Sequence, residues 1–211
     1  MTHARAERAA LCDLLDRLGP DAPTLCEGWT TADLAAHLVL RERRLDAAGG
    51  IAIKALAGYT ESVQNKIKNA GSFRDLVDTV RQGPPRWSPY GLLPGVDALV
   101  NTLELYVHHE DVRRAQDGWE PRAVPRDLAE VMWSRLSSGA RLMFRRSPVG
   151  VVLRRPDGRK IGARKAEPHV VVTGEPGELL LFAFGRQDHA RVTYDGDPAA
   201  VERLRTARLG L

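Results

Sequence analysis

Three residues have the types and spacing to hold one divalent cation. Glu104 and His108 stand four apart in NTLELYVHHEDVRRA. On a helix their side chains leave the same face about one turn apart. Val100 and Asp111 share that face, and Leu103 and Val107 flank it. An ionised carboxylate in such surroundings is costly unless it is paired or bound to metal. A Glu–His ion pair closing a helical turn is one reading. The other is a shared cation, gripped as His-x-x-x-His motifs grip zinc. His37 lies among Leu34, Leu38 and Arg41 on the apolar face of another segment. By itself, a histidine there is more often a hydrogen-bonded core residue than a ligand. A His/His/Glu set would leave a coordination position open, as catalytic metal sites do. Its mixed nitrogen and oxygen donors suit Zn²⁺, and Ni²⁺, Co²⁺, Mn²⁺ and Fe²⁺ also fit.

The neighbouring polar residues read more plainly. His109 is turned about 100° from His108 and should point elsewhere. His109 with Arg113, and Glu110 with Arg114, read as solvated pairs on outer helix faces. Asp111 could orient an imidazole or pair with an arginine. His3, His169 and His189 read as surface residues. Cys26 reads as buried rather than nucleophilic, because no partner base is visible near it. Trp29 reads as a packing anchor. The loop with Trp87, Pro89 and Tyr90 reads as a cover for one end of the helices, with a lid as the alternative.

Helical elements must position these groups. Residues 2–18 carry Ala6, Ala9, Ala10, Leu14 and Leu18 at helical spacing, ended by Gly19 and Pro20. Thr30 with Asp33 reads as a capping pair, starting a helix that runs to about Gly49. Residues 51–70 are ambiguous. Residues 72–82 form a helix with Phe73, Leu76, Val77 and Val80 on one face. GPPRWSPYGLLPG cannot be helical. Helices are expected from Val96 to Gln116 and from Pro125 to Phe144. After Pro148 the pattern changes. VVLRR and KIGAR flank a Pro-Asp-Gly turn as two strands. HVVVTG and ARVTYDG are two more, PGELLLFAFG is a short amphipathic helix with Pro176 at its first position, and DPAAVERLRTA is a final helix. The expected domains are a metal-binding helical bundle over 1–146 and a small α/β domain over 147–211.

Composition narrows the function classes. Hydrophobic residues are 43% and charged residues 27% of 211, as in ordinary globular chains. The net charge is +4 and the pI about 9.3. The arginines are interleaved with Asp and Glu, so nucleic acid is not an expected partner. No apolar run approaches the about 20 residues needed to cross a membrane. MTHARAERAALCDLL has no apolar signal core, and Cys12 with Cys26 forms no disulfide framework. The expected location is the cytoplasm, as a monomer or homodimer.

Two stretches carry a family resemblance. LCEGWTTADLAAHLVLRERR resembles the Cys-x-Gly-Trp-[Ser/Thr]-x-x-Asp-Leu-x-x-His-Leu signature of mycothiol-dependent maleylpyruvate isomerase N-terminal domains. NTLELYVHHEDVRRA resembles the Glu-x-x-x-His-x-x-Asp segment of the same family. The resemblance implies a mainly α chain: a DinB-like four-helix bundle, up-down-down-up, followed by a small α/β domain similar to sterol carrier folds. It implies His37, Glu104 and His108 as ligands of zinc or another divalent metal. It implies Arg186, in FAFGRQD, as a substrate-binding arginine, and Arg41, one turn after His37, could likewise hold a substrate carboxylate. The implied activity is that of a mycothiol-dependent isomerase or S-transferase: a small thiol adds to an electrophile, and the adduct is eliminated as a trans alkene or released. The alternatives are a metal-dependent hydrolase using bound water, a non-enzymatic metal- or ligand-binding module, and a purely structural bundle.

Overall fold

A computed structural model describes residues 2–48, 53–85 and 94–210, with side chains of the longest helix from Asn101 onward. The loop with Trp87, Pro89 and Tyr90 and the Val100 side chain lie outside the described residues. The chain divides into two compact units, Met1–Glu120 and Pro121–Leu211.

In the first unit, α1 spans His3–Leu18, α2 Thr31–Arg43, α3 Leu45–Ala48, α4 Ala57–Lys68, α5 Phe73–Gln82 and α6 Pro94–Arg113. Helix α1 packs on α5 and α6, and α2 on α4 and α5. Local chemistry sets the ends. The Thr30 N–H and hydroxyl donate to Asp33 Oδ2 at 3.1 and 2.9 Å, satisfying the start of α2. Ser72 and Asp75 repeat that capping box at α5. Helix α2 stops at Arg43 rather than near Gly49. Arg44 leaves helical geometry (φ −126°, ψ 67°), and its guanidinium grips Asp46 at 2.9 and 2.7 Å. The ambiguous stretch is helical from Ala57 and buries Thr60, Val63 and Gln64.

The core of this unit joins Leu11, Leu15, Leu34, Leu38, Val77, Leu105 and Val112. A buried ion pair crosses it. Arg8 of α1 donates to both carboxylate oxygens of Glu42 in α2, at 3.0 and 2.5 Å, and to the Val80 carbonyl of α5 at 2.9 Å. One guanidinium thereby ties three helices together.

In the second unit, α7 spans Arg126–Met143, β1 Gly150–Arg154, β2 Lys160–Arg164, β3 His169–Thr173, α8 Pro176–Ala183, β4 Thr193–Gly196 and α9 Pro198–Arg205. The sheet order is β2-β1-β3-β4. Strand β1 pairs antiparallel with β2 and parallel with β3, and β4 runs antiparallel to β3. Val151, Leu153, Ile161, Ala163, Val170 and Val172 form its buried face. Gly150 has no room for a side chain, since a Cβ there would lie 2.1 Å from the Ala166 carbonyl oxygen.

Two sequence expectations differ from this arrangement. The boundary falls at Glu120 and Pro121, not near 146, because α7 packs on α8 and β2. Helix α8 is not amphipathic: every residue from Pro176 to Ala183 is buried. Its one carboxylate, Glu178, accepts the Arg191 N–H at 2.7 Å, which is how a charge is tolerated there.

Glu42→Ala should destabilise the first unit by about 3–5 kcal/mol, because it strands the buried Arg8 charge. Urea unfolding followed by circular dichroism measures this, and a loss under about 1 kcal/mol would mean that Arg8 finds water instead.

Candidate metal centre

His37 comes from the second turn of α2, and Glu104 and His108 come from successive turns of α6. One ligating atom from each lies within 4.8 Å of the others. The two imidazoles meet edge-on, with centroids 5.4 Å apart and planes at 71°. The Trp29 ring closes over His37, 5.0 Å away. His37 and His108 are buried, whereas the Glu104 side chain keeps 28% of its exposure. The cluster therefore reaches solvent on the Glu104 side.

Each nitrogen of His108 has an assigned direction. Nε2 lies 3.8 Å from Glu104 Oε1. Nδ1 lies 3.1 Å from Asp111 Oδ2. The same Asp111 oxygen accepts the Cys26 thiol at 3.3 Å, and the Asp111 carbonyl accepts the Leu25 N–H at 3.0 Å. A carboxylate behind an imidazole fixes its tautomer and aims its other nitrogen, as in carboxylate–histidine–metal sites.

The electrostatics fit a cation. Burial pushes the His37 pKa down to about 3, and the charges of His108 and Arg41 push the same way, against a hydrogen bond to Gln64. His37 is thus neutral at pH 7, with a lone pair to offer. Burial alone would also lower His108. Its hydrogen bonds to Asp111 and Cys26 and the charges of Asp111 and Glu104 outweigh that and raise it to about 10. The metal-free protein accordingly holds a proton on an imidazole set between two carboxylates. A divalent cation beside Nε2 would occupy that same electrostatic position.

The other residues singled out in the sequence fall as follows. Arg41 lies beside the cluster: its Nε is 3.7 Å from Glu104 Oε1, and Nη1 donates to Asn101 Oδ1. Arg186 belongs to the second unit, where its Nη1 donates to the Phe184 carbonyl at 2.7 Å. His109 does point away from His108, yet it is buried, with Nδ1 3.0 Å from Glu7 Oε2 of α1. Glu110 is also buried, and it accepts Arg113 at 2.9 Å and Arg114 at 2.6 Å. The Arg114 guanidinium is buried in turn, 4.7 Å over the Trp119 ring. Reading these as solvated pairs was wrong, because α1 covers the face of α6 that periodicity left outside. Cys26 has the neighbours that sequence reading did not find. Asp111 is 85 residues away, so no local pattern shows the contact.

The model of the mycothiol maleylpyruvate isomerase N-terminal domain matches residues 1–138. The chain belongs to that family. Two solved structures are similar. One is the mycothiol-dependent maleylpyruvate isomerase, 17% identical over 92% of this chain and 90% of that one, with a TM-score of 0.61. The other is a histidine-to-alanine mutant of that isomerase, 16% identical over the same shares, with a TM-score of 0.60. No curated protein matches the sequence. At this identity the structural likeness is one of fold: mainly helical with a small mixed four-stranded sheet. Among the described residues, no helix is long and apolar enough to cross a membrane.

A pH dependence follows for the metal-free protein. His37 stays neutral in the folded state but protonates in the unfolded chain below about 6.5. Its contribution to stability is therefore present above about pH 6.5 and is lost as pH falls toward 3. Wild type should lose stability faster than His37→Asn over that window, measured by urea unfolding in chelator. Parallel pH curves for the two proteins would show that His37 is not held neutral.

Proposed function

We propose that the protein binds a divalent metal, Zn²⁺ or a similar transition ion, and is a mycothiol-dependent isomerase or S-transferase acting on a small electrophile. Membership of the mycothiol maleylpyruvate isomerase N-terminal domain family supports the thiol. The observation that carries the metal is the convergence of His37, Glu104 and His108, with ligating atoms within 4.8 Å of one another. In the same reading, α1, α2, α5 and α6 form the DinB-like four-helix bundle, and the sheet with its helices is the sterol-carrier-like domain. The protein works as a monomer or homodimer in the cytoplasm.

His37, Glu104 and His108 would hold the ion. A divalent metal with an open position supplies Lewis acidity and keeps a coordinating thiol deprotonated at neutral pH. The chain's own residues do the rest. Neutral His37 presents a lone pair from α2. Asp111 holds the His108 ring so that Nε2 faces the pocket. Arg41 lies against Glu104, its Nε 3.7 Å from Oε1, and orients that carboxylate. Trp29 packs against the His37 ring. Arg41 and Arg186 are the groups proposed to bind a substrate carboxylate, for which a guanidinium is the fitting donor. A thiolate adding to a cis alkene leaves a single bond that can rotate before the thiol is eliminated.

Metal-loaded protein mixed with mycothiol and an electrophile such as a bimane or maleylpyruvate should accelerate adduct formation or isomerisation. His108→Ala should abolish the acceleration. Asp111→Asn should lower metal affinity by about 10–100-fold, because it frees the imidazole to turn. Background rates with every electrophile, from protein shown by elemental analysis to carry one equivalent of metal, would overturn the thiol reading. Less than about a tenth of an equivalent after reconstitution would overturn the metal reading itself.

A further inference from the structure

The His108 imidazole faces a second group of metal-ligating atoms on its other edge. Cys26 Sγ, Asp111 Oδ2 and His108 Nδ1 lie within 4.8 Å of one another. Two of the separations are hydrogen-bond distances: 3.3 Å between Cys26 Sγ and Asp111 Oδ2, and 3.1 Å between His108 Nδ1 and Asp111 Oδ2. In a tetrahedral site with bonds of about 2.0–2.3 Å, ligand atoms stand about 3.3–3.8 Å apart. Two of the three separations are therefore already close to the edge of such a tetrahedron, and the third lies within 4.8 Å.

We propose that Cys26, Asp111 and the Nδ1 edge of His108 form a second cation site, selective for thiophilic ions of the Zn²⁺, Cd²⁺ and Cu⁺ class. The first cluster offers two nitrogens and an oxygen. The second replaces one nitrogen with sulfur, which shifts its preference toward soft metals. The site is pre-formed, because the backbone hydrogen bond from Leu25 N–H to the Asp111 carbonyl, 3.0 Å, pins the Cys26 loop to α6. Cys26 is partly buried, so an ion has a route in, whereas Cys12 is fully buried. Burial pushes the Cys12 thiol up to about 11 and removes it as a competing ligand. Capture of an ion expels two protons to solvent, one from the Cys26 thiol and one from His108 Nδ1, and the thiolate and the freed Nδ1 lone pair donate the metal–sulfur and metal–nitrogen bonds. The two sites use opposite nitrogens of one ring. Filling both requires a ring with no proton on either nitrogen, so an ion at the Cys26 edge weakens the other site.

The proposal does not depend on the thiol chemistry or on His37, and the test separates them. Metal-free wild type, His37→Ala and Cys26→Ser are titrated with Cd²⁺, and sulfur-to-cadmium charge-transfer absorption is read in the near ultraviolet. Protection of Cys26 from iodoacetamide by Cd²⁺ is followed in wild type by mass spectrometry, which needs no variant to fold. The expected result is a saturable band at one Cd²⁺ per chain in wild type and His37→Ala, none in Cys26→Ser, and alkylation of Cys26 slowed at least tenfold by Cd²⁺. Cd²⁺ binding without the band or the protection would overturn the proposal and leave Cys26 as a residue that only helps Asp111 orient His108. A band retained in Cys26→Ser would overturn it as well.

Discussion

The His108 ring has a carboxylate beside each nitrogen, and the rest of the site depends on that. Asp111 takes the Nδ1 edge at 3.1 Å, and Glu104 stands 3.8 Å from Nε2. All three residues ride on α6, so their relative placement is set by helical geometry rather than by loop conformation. What the helix cannot supply is His37, which comes from α2. The capping box at Thr30 and Asp33 fixes where α2 starts, and Lys68 of α4 holds the same aspartate at 2.7 Å. The register of His37 against His108 is therefore set by a cap two turns away from it.

Buried polar pairing is the recurring condition of the first unit. Arg8 with Glu42, His109 with Glu7, and Arg114 with Glu110 each lie inside the packing. The arginine–glutamate pairs add little to stability over an apolar core, but losing one partner is costly. Their value here is geometric. The first two of the three pairs join α1 to α2 and α1 to α6 through directional bonds, which resist the sliding that an all-apolar interface would permit. The proposed metal ligands sit on two of those helices. Arg41, Asn101 and Glu104 extend the same arrangement to the solvent side of the site.

Much of this was legible in the sequence where the signal is local. The helix from His3 to Leu18, the capping box at Thr30, the α5 face of Leu76, Val77 and Val80, and the strand pair around Pro-Asp-Gly all follow from spacing and turn chemistry. The convergence of His37 with Glu104 and His108 came from joining a periodicity argument to a family resemblance, and the structure brings the three together. What was not legible is long-range. Glu7 reaching His109 spans 102 positions, and Cys26 reaching Asp111 spans 85. Periodicity marks which face of a helix is apolar, but it cannot mark a polar face that another helix will cover. For the same reason α7 read as part of the helical bundle, since its affiliation with the sheet is decided by packing alone.

The central claim is that one divalent ion is held by His37, Glu104 and His108. X-ray absorption at the zinc edge, on protein loaded with a single equivalent of Zn²⁺, tests it most directly. The account predicts a first shell of two imidazole nitrogens and carboxylate oxygen, losing one imidazole in His37→Ala. A shell with one imidazole in wild type, or one unchanged by His37→Ala, would contradict it.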